Sequence, residues 1–215
     1  MRVDIFSDII CPWCYLGRTR FQEAVAAFDG SVEVTWRPFQ LDPDAPATPE
    51  SATERLAAKF GGPARVAAMH ERMRELTTAA GLPYKPERAL RANTRDAHRL
   101  VWWAGRNGGQ DALVDRLFRA YHAEGRDIGD ADTLTALAAE ASLPADRVRV
   151  LLASDEGAAD VAGDLEQART LGITGVPFFL FEGAWAVSGA QPTDVFGAAL
   201  REVERNLAAA ADPLP

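Results

Sequence analysis

Cysteine is nearly absent from this chain. Its 215 residues include two, and both fall within one tetrapeptide, Cys11-Pro12-Trp13-Cys14. That scarcity excludes a framework of structural disulfides. Histidine is scarce too: His70, His98 and His122 are the only three, scattered over predicted helices without paired spacing. They offer a poor set for completing a four-ligand zinc site around the two thiols, and no metal is expected. No apolar run approaches membrane-spanning length. Met1-Arg2 leads at once into Val3-Asp4-Ile5-Phe6, not into a cationic segment with a long apolar stretch and a small-residue cleavage site. The expectation is a cytoplasmic protein that does not enter a membrane. Basic charge is in deficit, with 23 Lys+Arg against 31 Asp+Glu, a net charge of −8 and a pI of about 5.0. A nucleic-acid partner would need a basic face and is not expected. The remaining composition is ordinary for a globular chain, 47% hydrophobic and 25% charged. Its length suffices for one sizeable core, or one core plus an inserted subdomain.

Along the chain, Val3–Phe6 reads as a short strand, and Pro12 suits the first turn of a helix, where its missing N–H removes no hydrogen bond. Phe21, Ala24, Val25 and Phe28 recur at helical spacing until Gly30. Val32-Glu33-Val34-Thr35-Trp36 alternates apolar and polar residues and reads as a second strand, completing a βαβ unit whose strands should be parallel. A proline-rich connector, Leu41–Pro49, follows. From there to Gly172 helical patterns dominate, punctuated by Gly61-Gly62-Pro63, Gly81-Leu82-Pro83, Asn107-Gly108-Gly109, Gly125 and Leu143-Pro144. Five to seven helices are expected here, with Asn93, Asp130 and Ser154 as N-caps. Strands return at Val176–Phe181, a turn at Glu182-Gly183 and Trp185-Ala186-Val187, which together spell an antiparallel hairpin. Pro192–Ala211 reads as a closing amphipathic helix, and Asp212–Pro215 as a loose tail. Without its helical middle the chain is βαβ then ββα. The fold class is therefore α/β, a thioredoxin-like fold with a large all-helical insertion: residues 1–40 and 173–215 form the thioredoxin-like domain, and 41–172 the inserted helical one.

The tetrapeptide carries the chemistry. A thiolate, not a thiol, attacks a disulfide. Cys11 falls at the predicted start of a helix, where unpaired amides and the helix dipole favour an anion. Cys14 lies one turn further in. The division of labour expected is Cys11 as exposed nucleophile and Cys14 as the buried resolving thiol. Trp13 brings no positive charge to the motif. Pro177 is the second feature: a proline at the edge of a buried strand removes a ladder donor, and a cis Val176–Pro177 bond would bend the chain and leave the Val176 backbone free for an extended substrate. Pro12, Trp13 and Val176 are the candidate substrate contacts. His98 reads as a partly buried helix residue, Trp102 and Trp103 as packing, and Arg126-Asp127 as a surface turn.

Cys-Pro-Trp-Cys after an N-terminal strand, the helical middle, and Gly175-Val176-Pro177-Phe178-Phe179 before a hairpin resemble the DsbA family of thioredoxin-fold oxidoreductases. Pro38–Pro43, Asn93–Leu100, Glu124–Ile128 and Ser188–Gln191 are similar to stretches of its cytoplasmic FrnE-like branch, and the likeness runs over essentially the whole chain. The resemblance implies thiol–disulfide exchange, with Cys11 as nucleophile, Cys14 as resolving thiol and Pro177 as a cis-proline facing them. It implies no bound cofactor, with glutathione or another thiol as redox partner and protein or small-molecule disulfides as substrates. The family's DsbA has a histidine at the position of Trp13, and some members carry a second cysteine pair that this chain does not have. A second reading stays open. The 2-hydroxychromene-2-carboxylate isomerases and kappa-class glutathione transferases are similar in architecture, but typically place a serine at the position of Cys11 and activate glutathione without exchanging disulfides. A third reading is a non-enzymatic interaction protein that uses the helical insertion as its surface. The oligomeric state is left open, a homodimer included.

Overall fold

The computed structural model describes residues 1–46, 48 and 50–211. Ala47 and Pro49 of the expected connector, and the Asp212–Pro215 tail, lie outside the described residues. Strand β1 (Arg2–Ser7), helix α1 (Pro12–Ala26) and strand β2 (Glu33–Pro38) form the expected unit, and β1 pairs with β2 in parallel, Ile5 opposite Trp36. At the other end come β5 (Phe178–Phe181), β6 (Trp185–Ser188) and α9 (Thr193–Ala211). β5 joins β1 antiparallel, Ile5 opposite Phe179, and the β5–β6 hairpin turns where Glu182 and Gly183 adopt positive φ of 49° and 68°. The resulting sheet has the order β2-β1-β5-β6.

Strand alternation sorts the side chains to two faces. Val3, Ile5, Trp36, Phe179 and Phe181 point to the face that α1 and α9 cover. There Phe21 of α1 and Phe196 of α9 meet Phe179 at ring separations of 5.1 and 4.5 Å. Phe6 points the other way, onto Ala168 and Ile173. On that second face Arg37 of β2 bridges Asp4 of β1 at 2.7 Å and Asp164 at 3.2 Å. β1 is thus buried on both sides, which explains its short, almost continuous apolar run.

Between β2 and β5 lie seven α-helices among the described residues: α2 (Ala52–Phe60), α3 (Pro63–Ala79), α4 (Arg95–Asn107), α5 (Gln110–Arg119), α6 (Ala131–Glu140), α7 (Ala145–Leu152) and α8 (Ala158–Thr170). The stretch is helical as expected, with two additions that sequence patterning did not foresee. One is a two-residue ladder of β3 (Glu50–Ser51) with β4 (Leu90–Arg91). The other is a π-helical turn over Ala120–Glu124 that extends α5. Of the expected caps, Asp130 accepts from the Thr133 amide at 2.7 Å. Asn93 lies one residue before Thr94, the N-cap of α4; its side chain accepts from the Arg95 amide at 3.0 Å. Ser154 caps no helix: α8 opens at Gly157, and Ser154 belongs to a turn whose carbonyls are gripped by the buried Arg99 guanidinium, together with those of Leu151 and Glu156. Trp103 is buried in the core as packing. Arg126 pairs with Glu140 at 2.7 Å in a surface cluster.

The helical stretch is tied firmly to the sheet. Arg18 of α1 is buried and bonds Asp111 and Asp115 of α5 at 2.8 and 2.7 Å. Gln110 brackets Trp36 on the outer strand, accepting from its amide at 3.1 Å and donating to its carbonyl at 3.4 Å.

Candidate active site

β1 ends at Ser7, and a tight turn closed by the Cys11 amide on the Asp8 carbonyl at 3.0 Å delivers the chain to α1. Cys11 is the N-cap of α1, with extended φ and ψ of −86° and 112°, and Pro12 fills the first helical position. The Cys14 and Tyr15 amides bond the Cys11 carbonyl at 3.0 and 3.2 Å. The Cys11 side chain accepts no hydrogen bond from a first-turn amide, and the first turn of α1 carries no acidic residue to compete with a sulfur anion for the dipole. Both cysteines are free thiols. The Cys11 thiol donates to the Val176 carbonyl at 3.6 Å, and the Val176–Pro177 peptide is cis. Cys11, Cys14, Val176 and Pro177, 165 residues apart at the widest named contact, therefore share one site.

One expectation is corrected. Cys11 is not an exposed sulfur: the residue is 4% exposed, and Cys14 1%. Pro177 and the walls contributed by the helical stretch leave Trp13, at 44%, as the exposed member of the motif, with Pro12 and Val176 half-buried beside it. Burial pushes the Cys14 thiol well above its ordinary value of 9.0. The Cys11 side chain pushes the same way, by hydrogen bond and by charge, while the Ser7 hydroxyl and the Asp8 amide pull it partly back. The inner thiol is thus held protonated.

Residues outside the motif complete the site. Gly17 lies against Pro177: a Cβ there would meet the proline Cγ at 2.9 Å and Ala190 Cβ at 3.3 Å. The Gly189 amide in turn bonds the Pro177 carbonyl at 2.8 Å. Asp8 is fully buried. Its Oδ2 accepts from the Leu41 amide at 2.7 Å, and its Oδ1 has no hydrogen bond among the described residues but stands 3.4 Å from His98 Nε2. His98 is buried, Nε2 also lying 3.0 Å from the Phe39 carbonyl, and so braces the floor of the site rather than its mouth. Asn93 ties the same connector through Gln40 at 3.2 Å and the Pro43 carbonyl at 2.9 Å. From the π turn, His122 reaches the Ile9 carbonyl at 3.0 Å. Burial raises the Tyr84 phenol, Arg74 opposing and Cys11 adding to the rise. Sequence reasoning missed Asp8, Gly17, Tyr84 and His122. Only Gly17 carried a signal, as a glycine inside an otherwise regular helix. Among the described residues no cluster of His, Cys, Asp and Glu is placed to hold a metal ion.

Residues 2–201 match the model of the DSBA-like thioredoxin domain. The chain belongs to that family. Within the DSBA-like fold it is similar to a probable DsbA oxidoreductase from Streptomyces coelicolor, 38% identical, with a TM-score of 0.89 over 100% of this chain and 92% of that one. An uncharacterized Bacillus subtilis protein, YwbO, is 26% identical over 206 residues, 95% of this chain and 98% of the relative. The fold is shared with a cytosolic disulfide reductase, DsbM, from Pseudomonas aeruginosa, whose structure with GSH is 22% identical, with a TM-score of 0.67 over 95% of this chain and 100% of that one. For a DSBA-like chain, the helices between β2 and β5 are the expected insertion, and no helix among the described residues is long and apolar enough to cross a membrane.

Proposed function

We propose that this chain is a cytoplasmic dithiol–disulfide oxidoreductase in which Cys11 is the nucleophile, Cys14 the resolving thiol, and the Val176–Pro177 segment the wall against which a substrate disulfide is aligned. The observation that carries the reading is the Cys11 sulfur at a helix N-cap, 3.6 Å from the Val176 carbonyl, with a more deeply buried thiol one turn behind it. The thiolate of Cys11 attacks one sulfur of a substrate disulfide. A mixed disulfide forms, and the other substrate sulfur leaves as a thiolate. Cys14 then loses its proton to solvent or to the departing thiolate and attacks the Cys11 sulfur. The second substrate thiolate leaves, and the protein is left with a Cys11–Cys14 disulfide, two electrons having passed to the substrate. Two equivalents of a thiol such as glutathione return it to the dithiol. The reverse sequence oxidises a dithiol substrate.

The buried state of both sulfurs selects how substrates arrive. Trp13, Pro12 and Val176 form the accessible rim, so small disulfides and extended peptide disulfides are the substrate class the site fits. Residues 1–40 and 173–215 carry the chemistry on this reading, and 41–172 narrow the approach to it. The test is a Cys14→Ser variant incubated with glutathione disulfide or a peptide disulfide. A mixed disulfide should accumulate on Cys11, found by mass spectrometry and absent from Cys11→Ser. If wild-type protein neither reduces nor oxidises any model disulfide, the proposal fails. Glutathione-dependent turnover that survives Cys14→Ala without change in the oxidation state of glutathione assigns the isomerase or transferase class instead.

A further inference from the structure

We infer that His122, supplied by the helical stretch, is a positioning residue that holds the turn carrying Cys11 and so sets the reactivity of the dithiol. The inference rests on the proposed thiol chemistry for its consequence, though the contact itself is independent of it. Cys11 is the last residue of the Asp8–Cys11 turn, and within that turn the buried Ile9 carbonyl is left unused by the turn's own hydrogen bond. His122 Nε2 lies 3.0 Å from it. The imidazole is 3% exposed and held on every side: parallel to Tyr15 at 5.3 Å and 6°, stacked near Phe118 at 6.0 Å, edge-on to Tyr121 at 4.9 Å, and beside Tyr84 at 6.0 Å.

The backbone around it is fixed as well. The Lys85 amide bonds the His122 carbonyl at 2.7 Å, and the Gly125 and Arg126 amides both reach back to the Ala120 carbonyl, the latter at 3.0 Å, at the end of the π turn. A π turn shifts the register of the helix by one residue and re-aims the side chains it carries. Burial pushes the imidazole down to about 3, with the Ile9 and Cys11 carbonyls opposing. The ring is therefore neutral and carries one N–H. A carbonyl only accepts, so that N–H is on Nε2 and points at Ile9. A phenylalanine would fill the same aromatic cage and leave the Ile9 carbonyl buried without a donor. Cys11, freed to drift, would no longer be fixed at its N-cap conformation beside Val176. The aromatic stacking and the hydrogen bond are thus separable, which makes the role testable.

Two variants of the full chain separate them. His122→Phe keeps the stack and removes the donor. His122→Gln removes the ring and places an amide nitrogen near the Nε2 position. The readouts are the pH profile of Cys11 alkylation, followed by peptide mass spectrometry so that Cys14 is scored separately, and the equilibrium constant with glutathione, alongside the melting temperature. We expect His122→Phe to slow Cys11 alkylation at neutral pH at least threefold, and to move the glutathione equilibrium toward the disulfide by up to tenfold, a shift of about 30 mV. His122→Gln should recover most of both. If Phe matches wild type and Gln does not, the ring only packs and the inference is overturned. Should either variant fail to fold, two-bond 1H–15N spectra of the wild type decide. A neutral ring protonated at Nε2 down to pH 5, with a 15N shift that changes when the dithiol is oxidised, supports positioning. The Nδ1-protonated form, or a shift indifferent to redox state, overturns it. Wild-type protein that alkylates normally but never equilibrates with glutathione refutes the proposed function, not this contact.

Discussion

The contact between Gly17 and Pro177 makes a quantitative prediction. In Gly17→Ala the new methyl would sit 2.9 Å from Pro177 Cγ, with Ala190 Cβ at 3.3 Å and Ala190 Cα at 3.4 Å. Carbon pairs rest at about 3.5–4.0 Å, so the proline ring must retreat by roughly 0.6 Å or more. None of these walls is the end of a flexible side chain: one is a proline ring, the other a residue next to the Gly189 amide that bonds Pro177. Overpacking of this kind costs about 1–3 kcal/mol. Replacing a mid-helix glycine by alanine returns about 1 kcal/mol of helix propensity. The net expectation is a destabilisation of about 0–2 kcal/mol. Gly163→Ala in α8 is the internal control, because nothing lies within 4 Å of its Cβ position. It shows the propensity gain alone, so the two variants should differ by about 1–3 kcal/mol in urea unfolding. The functional effect should exceed the stability effect. A retreat of Pro177 carries the Val176 carbonyl away from the Cys11 sulfur, now at 3.6 Å, and displacements near 1 Å at a reacting centre can lower rates by about a hundredfold. Disulfide exchange in Gly17→Ala should fall at least tenfold while Gly163→Ala exchanges as wild type. Were Gly17→Ala to stabilise as much as the control and keep its exchange rate, the tight packing of α1 on Pro177 would not govern the site.

Three further outcomes follow from burial and charge. His122 is held down to about 3 from an ordinary 6.5, so below 6.5 the unfolded chain takes up a proton that the folded chain refuses. Stability contributed by the neutral ring is complete above pH 6.5 and is lost as pH falls, by up to about 1.4 kcal/mol per unit; the difference between wild type and His122→Phe in urea unfolding should shrink or reverse between pH 6.5 and 4. The buried Arg18 should tolerate its own replacement better than the loss of its partners: Asp111→Asn with Asp115→Asn strands a cation that is 8% exposed and should cost about 3 kcal/mol, whereas Arg18→Met should cost under about 1 kcal/mol. Trp13→Ala should leave the melting temperature nearly unchanged, since the residue is 44% exposed, and should raise KM for peptide disulfides more than for glutathione disulfide.

What was legible in the sequence is what depends on local pattern. Val3–Phe6, the Cys-Pro start of α1 and the Phe-rich hairpin follow period and punctuation, and all three deliver the site. The cis Val176–Pro177 peptide is legible only beside the cysteine motif and the family resemblance, because in isolation a proline at a strand edge reads as trans. What escaped depends on partners distant in sequence. Nothing near residue 11 says that its turn is buried, because the groups packed on that turn come from far along the chain, Val176 on the sulfur and His122 on the Ile9 carbonyl. Ser154 resembles a cap, but the three carbonyls around it are already organised by Arg99, so the helix begins later, at a glycine. The Glu50–Ser51 and Leu90–Arg91 ladder is too short for any periodicity to register.

Gln110 does more than fasten a helix to β2. A sheet flank with free amides and carbonyls invites another chain to continue the ladder. One carboxamide occupies both the donor and the acceptor of Trp36, acting as a single rung of a missing fifth strand. Intermolecular growth of the sheet is obstructed on that flank, and it is left to the β6 side, where Trp185–Ser188 has no strand beyond it among the described residues.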